Sequence, residues 1–335
     1  MDEVFTGSFT QQLPLPDDAI AAAVEVMRSG RLHRYNLLPG EEGEVSALER
    51  EFAAWLGAKY CLALASGGAA MAIALRAAGV DHGEPVLSNA FTLAPVPGAI
   101  AAVGARPVFV GVTEALTIDL EDLAAKIGPS GARVLLLSHM RGHLCDMDLL
   151  MEICDAAGVA VIEDCAHTMG ARWRGVSSGR HGLAACYSTQ TYKHMNSGEG
   201  GFLTTDDPDL AARAILLSGS YMLYGRNGAA PGPEAFDKAR YDTPNMSSRM
   251  DNLRAALLRP QLKRIDADCA AWTERYRTVE AGLNGTPGLT VIERPRAEAF
   301  VGSSIQFLLM DWDDADIRRV LAACAARGVE LKWFG

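Results

Sequence analysis

The sequence predicts an α/β fold: a mostly parallel sheet with helices over both faces. Two observations carry this. Strand-like apolar runs alternate with helix-like ones through the first two thirds of the chain, the order expected of repeated βα units. Several of these runs are also continuously apolar rather than alternating, as in strands buried on both faces. The run "YCLALAS" (60–66) precedes a helical "GAAMAIALRAAG". Next, "EPVLSN" (84–89) precedes "APVPGAIAAVG", and "RPVFVGV" (106–112) follows. "RVLLLSH" (133–139) leads into "DMDLLMEICDAAG" and then "VAVIED" (159–164), after which come "LAACYST" (183–189) and "GFLTTD" (201–206). The glycine-, proline- and tyrosine-rich segment 219–245 reads either as an active-site flap or as a plain surface excursion. From Met250 a long helical pattern carries the chain into a second domain, with Pro260 expected to kink or break it. The expected division is an N-terminal arm and large domain over residues 1–250 and a smaller C-terminal domain over 251–335. The chain stops on "VELKWFG", an apolar, strand-like stretch, so a C-terminal piece is expected to be missing or disordered.

Composition narrows the function classes. At 335 residues, 49% apolar and 21% charged, the chain is ordinary for a soluble globular protein larger than one typical core. A net charge of -10 disfavours a sequence-independent grip on nucleic acid, which needs basic clusters. No run reaches the roughly 18 apolar residues of a membrane helix, and the acidic start "MDEVF" does not read as a secretory signal. The seven cysteines are scattered without any Cys-x-x-Cys, which argues against a disulfide framework and against a zinc site. A cytoplasmic enzyme with reduced thiols, using no metal, is the simplest reading.

In such folds ligands gather at the carboxyl ends of the strands. Four features fall there. "ASGGAAM" (65–71) is a small-residue turn whose bare amides at a helix N-terminus suit phosphate, although glycine also serves ordinary turns. Asp164 in "VIEDCAH" can hold a metal, a ribose or a protonated ring nitrogen, or simply cap a helix. His167 stands three residues on, either functional or a satisfied core histidine. Lys193 lies in "STQTYKHMNSGEGG", a polar turn just before an apolar strand, in a chain whose 31 basic residues are mostly arginine. A lysine desolvated by a pocket can lose its proton and attack a carbonyl as a Schiff-base nucleophile; the plain alternative is a solvated surface lysine. Ser188, five residues earlier, can reach the same anion. Taken together, an anion turn, a strand-end Asp, a nearby His and a lysine among hydroxyls describe a pocket for pyridoxal phosphate, whose chemistry needs no metal.

These blocks also resemble a known family, the DegT/StrS-type sugar aminotransferases, a branch of the fold-type-I pyridoxal phosphate enzymes. "ASGGAAMAIALRAAGV" resembles its phosphate turn, and "SNAFTLAPVPGAIAAVGARPVFVGV" the strand–helix–strand that follows. "SHMRGHLCDMDLLMEICDAAGVAVIEDCAHTMGARW" is similar to the block ending in its ring-nitrogen Asp, and "CYSTQTYKHMNSGEGGFLTTDD" to its Schiff-base segment. "SSRMDNLRAAL" resembles the helix entering its small domain. The resemblance implies a large domain with a mostly parallel mixed sheet plus a smaller C-terminal α+β domain. It implies Lys193 as Schiff-base and proton-transfer lysine, Asp164 on the pyridinium nitrogen and His167 near the ring hydroxyl. Ser188 and the amides of Gly68 and Ala69 would hold the phosphate. It further implies a homodimer in which an Asn of the neighbouring subunit reaches that phosphate. Three positions depart from the family: Gly68 stands where Thr is usual, Leu93 where an aromatic ring stacks, and Ser247 where the Asn lies, with Asn245 two positions back.

The function expected is transfer of an amino group from an amino acid, glutamate or glutamine, to a keto-sugar or related ketone. The alternatives are a pyridoxal phosphate lyase or eliminase acting on an amino acid, and a cofactor-binding regulator with a broken site. Retention of Lys193 argues against the family's dehydratase branch, where that lysine is histidine. His139, Arg141 and His143, with Tyr221, Tyr224 and Arg226, are candidates for the acceptor pocket; the plain alternatives are structural hydrogen bonding and loop packing.

Overall fold

The computed structural model describes residues 4–334. Helices α1 (Asp17–Ser29) and α2 (Glu44–Leu56) precede the first strand, β1 (Tyr60–Leu64). Then follow α3 (Gly67–Ala77), β2 (Pro85–Asn89), α4 (Pro95–Ala102), β3 (Arg106–Val110), α5 (Leu120–Ser130), β4 (Val134–Ser138), α6 (Met147–Ala156) and β5 (Ala160–Asp164). Two short strands, β6 (Arg172–Trp173) and β7 (Val176–Ser177), come before β8 (Ala184–Ser188), β9 (Gly201–Thr205), α7 (Pro208–Ser218) and the short α8 (Phe236–Ala239). The chain ends through α9 (Asn252–Leu262), α10 (Ile265–Leu283), β10 (Leu289–Val291), β11 (Glu298–Ala299), β12 (Phe307–Leu309) and α11 (Asp314–Ala326).

Seven strands form one sheet in the order β1-β9-β8-β5-β4-β2-β3. β9 runs antiparallel to both of its neighbours, and the other pairings are parallel. The sheet is therefore mixed but mostly parallel, and six of its strands present their carboxyl ends along one edge. Side chains alternate between two cores, one on each face. Leu135 and Leu137 of β4 join α2, α5 and α6 through Phe52, Leu123 and Leu150. Val134 and Leu136 join α3, α4 and α7 through Ile73, Ile100 and Ile215. This two-sided burial is why the strands read as unbroken apolar runs. Phe52 anchors the first face, stacked on Phe202 at 4.1 Å and edge-on to Tyr187 at 5.2 Å.

The alternation also sorts the polar strand ends. Asp164 follows Ile162 by two residues, Ser188 follows Cys186 by two and Ser138 follows Leu136 by two. All three thus face the side covered by α3. Glu163, one residue earlier than Asp164, points to the opposite face.

The long helical pattern after Met250 divides into α9 and α10 at Lys263–Arg264; Pro260 sits in the last turn of α9 rather than at the break itself. α9 adds Ala255, Leu258 and Leu262 to the core of the first sheet face. Beyond α10, β10 pairs antiparallel with β12 and β11 pairs with β6. Residues 329–334, expected to be strand-like, adopt no strand: among the described residues no neighbouring segment pairs with them, and a strand needs a partner for its backbone groups. Among the described residues, no helix is long and apolar enough to cross a membrane.

Candidate active site

The carboxyl edge gathers what the sequence singles out. Ser66 caps α3, its Oγ accepting the Ala69 amide at 3.0 Å. Of the two amides expected to hold phosphate, that of Ala69 is thus already committed, whereas that of Gly68 meets no acceptor among the described residues. Gly67 packs so closely on the end of β8 that a Cβ there would stand 3.0 Å from Ser188 Cβ. A Cβ on Gly201 would come within 2.6 Å of the Gly67 nitrogen and 2.5 Å of the Tyr187 carbonyl oxygen. The glycines after the lysine are therefore needed for β9 to run against the α3 turn. Gly68 is different: a Cβ there would meet only Ser66 Oγ, at 3.8 Å. Its departure from the expected Thr removes a hydroxyl, not a steric obstacle.

Asp164 is held from two sides. Ser138 Oγ donates to Oδ2 at 3.1 Å and the Ala166 amide to Oδ1 at 3.1 Å. Ser138 is itself fixed by Asn89, whose Oδ1 accepts the Ser138 amide at 2.8 Å and whose Nδ2 donates to the Ser138 carbonyl at 3.0 Å. Sequence reasoning missed this relay, although a polar residue closing each apolar run, "SN" and "SH", is its visible trace. Burial pushes the Asp164 carboxyl up from its ordinary value, against the amide of Ala166 and the charge of Lys193. A buried acid of this kind calls for a cation.

Lys193 sits in the irregular turn between β8 and β9, its amide donating to the Gln190 carbonyl at 2.8 Å. Burial lowers its pKa, the charge of Asp164 opposes this, and that of Arg141 adds to it. Its Nζ has no hydrogen-bond acceptor among the described residues. Burial thus works against the charged form of both Lys193 and Asp164, and each one's charge favours the other's.

His167 Nδ1 accepts the Arg141 amide at 2.8 Å. An N–H donor on that side obliges Nδ1 to be the acceptor, so the proton sits on Nε2. Burial, with the charges of Lys193, Arg141 and His194, lowers its pKa to about 3. His167 is thus a neutral, oriented donor.

Asn245 and Ser247 lie in an exposed strap beside the end of β1, where the Ala65 amide donates to the Ser248 carbonyl at 2.9 Å. Asn245 Oδ1 accepts the Ser247 amide at 2.8 Å, and Ser247 Oγ accepts Arg249 Nη2 at 2.8 Å. Among the described residues nothing accepts from Asn245 Nδ2, whereas the Ser247 oxygen is already engaged. Leu93 is exposed in the loop after β2.

Most of the acceptor-pocket candidates take their plain roles. His139 Nε2 meets Glu163 Oε2 at 3.0 Å, and His143 Nε2 meets Gln306 Oε1 at 2.8 Å. Glu163 is buried, which raises its pKa, but His139 and the surrounding amides outweigh this and hold it at about 2. His139, Glu163 and Cys165 also bring ligand-type atoms within 4.8 Å of one another. The Glu163 oxygens are nonetheless occupied by His139 and by the amides of Gly179, His181 and Gly182. Tyr224 stacks on Phe236 at 4.2 Å, and Arg226 donates to the Tyr35 carbonyl at 3.1 Å. Arg141 and Tyr221 remain, the latter exposed under the Arg249 guanidinium.

Comparison with known proteins shows the family. Residues 16–334 match the DegT/DnrJ/EryC1/StrS aminotransferase family. The chain is 29% identical to a putative L-glutamine:3-amino-2,3-dideoxy-scyllo-inosose aminotransferase of Streptoalloteichus tenebrarius, over 98% of this chain and 79% of that protein. It is 34% identical to the dTDP-3-amino-3,4,6-trideoxy-alpha-D-glucose transaminase of Streptomyces venezuelae, over 80% of this chain and 66% of that one. Among solved structures, an aminotransferase from Psychrobacter cryohalolentis superposes with a TM-score of 0.82 at 26% identity, covering 96% of this chain and 83% of that one. The chain spans from 57% to 79% of the length of the curated relatives it matches first. A fold, a strand-edge site and a match over nearly its whole length lead to one conclusion: the chain belongs to the DegT/DnrJ/EryC1/StrS aminotransferase family.

Proposed function

We propose that the protein is a pyridoxal phosphate-dependent aminotransferase that moves an amino group from glutamate or glutamine to a ketone on a sugar or cyclitol. The observation that carries this is the arrangement at one sheet edge: the α3 turn packs on Ser188, Asp164 ends the adjacent strand, and Lys193 is near enough for its charge to act on Asp164. The residues fit the cofactor. The Gly68 amide and Ser188 hydroxyl suit its phosphate, the buried Asp164 carboxylate suits a protonated ring nitrogen, and His167 Nε2–H suits a ring oxygen. When bound, pyridoxal phosphate supplies an aldehyde and a ring that draws electrons from the donor's α-carbon.

The chain's own residues do the rest. Lys193 Nζ, its pKa lowered by burial, takes the α-proton of the donor and delivers it again nearby. Asp164, oriented by Ser138 and Asn89, would hold the cofactor's ring nitrogen and favour its protonated form. The relatives' names, an L-glutamine-using aminotransferase and a transaminase, favour transfer over elimination. All seven cysteines are free thiols, which supports a cytoplasmic setting. Holoenzyme given glutamate alone is expected to release one equivalent of 2-oxoglutarate and to leave the cofactor aminated. Unchanged cofactor after exposure to both glutamate and glutamine would sink the proposal.

We infer further that the working unit is a homodimer with shared sites, in which the partner subunit's Asn245 reaches the phosphate. The exposed strap and its apolar neighbours Tyr221, Met222, Tyr241 and Met246 support this. Mixing Lys193→Ala chains with chains carrying both Asn245→Ala and Ser247→Ala is expected to restore activity above either parent, because each mixed dimer regains one intact site. Activity at the parents' average, with subunit exchange demonstrated, places the whole pocket in one chain.

A further inference from the structure

Among the described residues, Arg141 is a cation without an anion. It follows β4 in the turn Met140–Gly142, where its backbone is left-handed at φ 57 and ψ 17. A glycine would adopt that conformation freely, and most side chains avoid it. The position nevertheless carries a half-buried arginine whose own amide fixes His167. Its guanidinium faces the Phe334 ring at 5.8 Å, and among the described residues it pairs with no carboxylate. The charge is close enough to be felt by both Lys193 and His167. Arg141 thus brings a fixed positive charge to the neighbourhood of Lys193 and His167.

We propose that Arg141 binds the α-carboxylate of the amino donor, and of the 2-oxo acid it becomes. This rests on the aminotransferase reading and names the contact that selects its donor. In any α-amino acid the carboxylate is one bond from the carbon whose proton Lys193 handles. An anion therefore arrives beside Lys193 with every donor, and the planar fork of a guanidinium matches it with two parallel hydrogen bonds. A sugar or cyclitol ketone carries no charge next to its carbonyl, so the same cation discriminates donor from acceptor. His139 and His143, the other basic side chains of this loop, are already engaged with Glu163 and Gln306.

The test is binding, measured by calorimetry on holoenzyme in its aldehyde form, where 2-oxoglutarate binds without reacting. Wild type, Arg141→Gln and Arg141→Lys are titrated with 2-oxoglutarate and with 4-oxobutanoate, which lacks the α-carboxylate. Arg141→Gln is expected to weaken 2-oxoglutarate roughly ten- to a hundredfold, the range of a hydrogen-bonded charge, and to leave 4-oxobutanoate unchanged. Arg141→Lys is expected to fall between, keeping the charge but not the fork. Equal affinities of wild type and Arg141→Gln for 2-oxoglutarate, or parallel loss of both ligands, overturn the assignment. The aminotransferase reading fails separately: if glutamate leaves the wild-type cofactor unchanged while Arg141→Gln still loses 2-oxoglutarate, the carboxylate site stands and the reaction does not.

Discussion

Replacing Lys193 by alanine is expected to remove turnover while leaving a folded protein. The proton transfer assigned to Nζ is worth roughly a hundred- to ten-thousandfold, and no other described amine shares this turn. Stability should not suffer. Burial lowers the pKa of Lys193 in the folded chain, so at any pH below its unfolded value the charged amine disfavours the native state. Alanine removes that cost, and thermal denaturation should show a melting temperature no lower than wild type. In the wild-type holoenzyme, borohydride followed by peptide mass spectrometry should place the cofactor on Lys193. An adduct on any other lysine, or an active Lys193→Ala enzyme, would reject the assignment.

Asp164→Asn is expected to lose roughly a hundred- to a thousandfold in kcat, the scale of removing one preorganised electrostatic contact from an active site. Two local bonds survive the change. The Asn oxygen can still accept the Ala166 amide, and the Ser138 hydroxyl can rotate to accept rather than donate. Asn and Asp also cap about equally well. If Asp164 serves only local structure, Asn should therefore be silent; if its charge steadies a protonated ring, Asn should fold and fail. Measuring kcat beside the melting temperature separates the two, and near-wild-type turnover would return Asp164 to a capping role.

The parts of the site legible in the sequence were those whose chemistry is local. Lys193 stood out because a lysine in a small, hydroxyl-rich turn before an apolar strand has few structural uses. Asp164 stood out at the end of a continuous apolar run. The relay from Asn89 through Ser138 to Asp164 was not legible, because its members lie on three strands that only the sheet order brings side by side. The Ala69 amide was expected to bind phosphate; which amide Ser66 would take depends on cap geometry, and Ser66 took that one.

The sequence by itself determined the α/β architecture, because two-sided burial writes itself as unbroken apolar runs and the strand–helix alternation implies parallel pairing. It also named candidates for the chemistry, since side-chain type and strand-end position are both visible in it. The tertiary structure decided what each candidate is free to do. Neighbouring acids parted, Glu163 into a buried bond with His139 and Asp164 into the pocket, because a strand turns successive side chains to opposite faces. Three basic residues of one loop parted likewise: His139 and His143 found buried partners, and Arg141, among the described residues, was left with no carboxylate and its guanidinium over the Phe334 ring. Partnering of this kind depends on contacts between residues far apart in the chain, and these exist only once the sheet has closed.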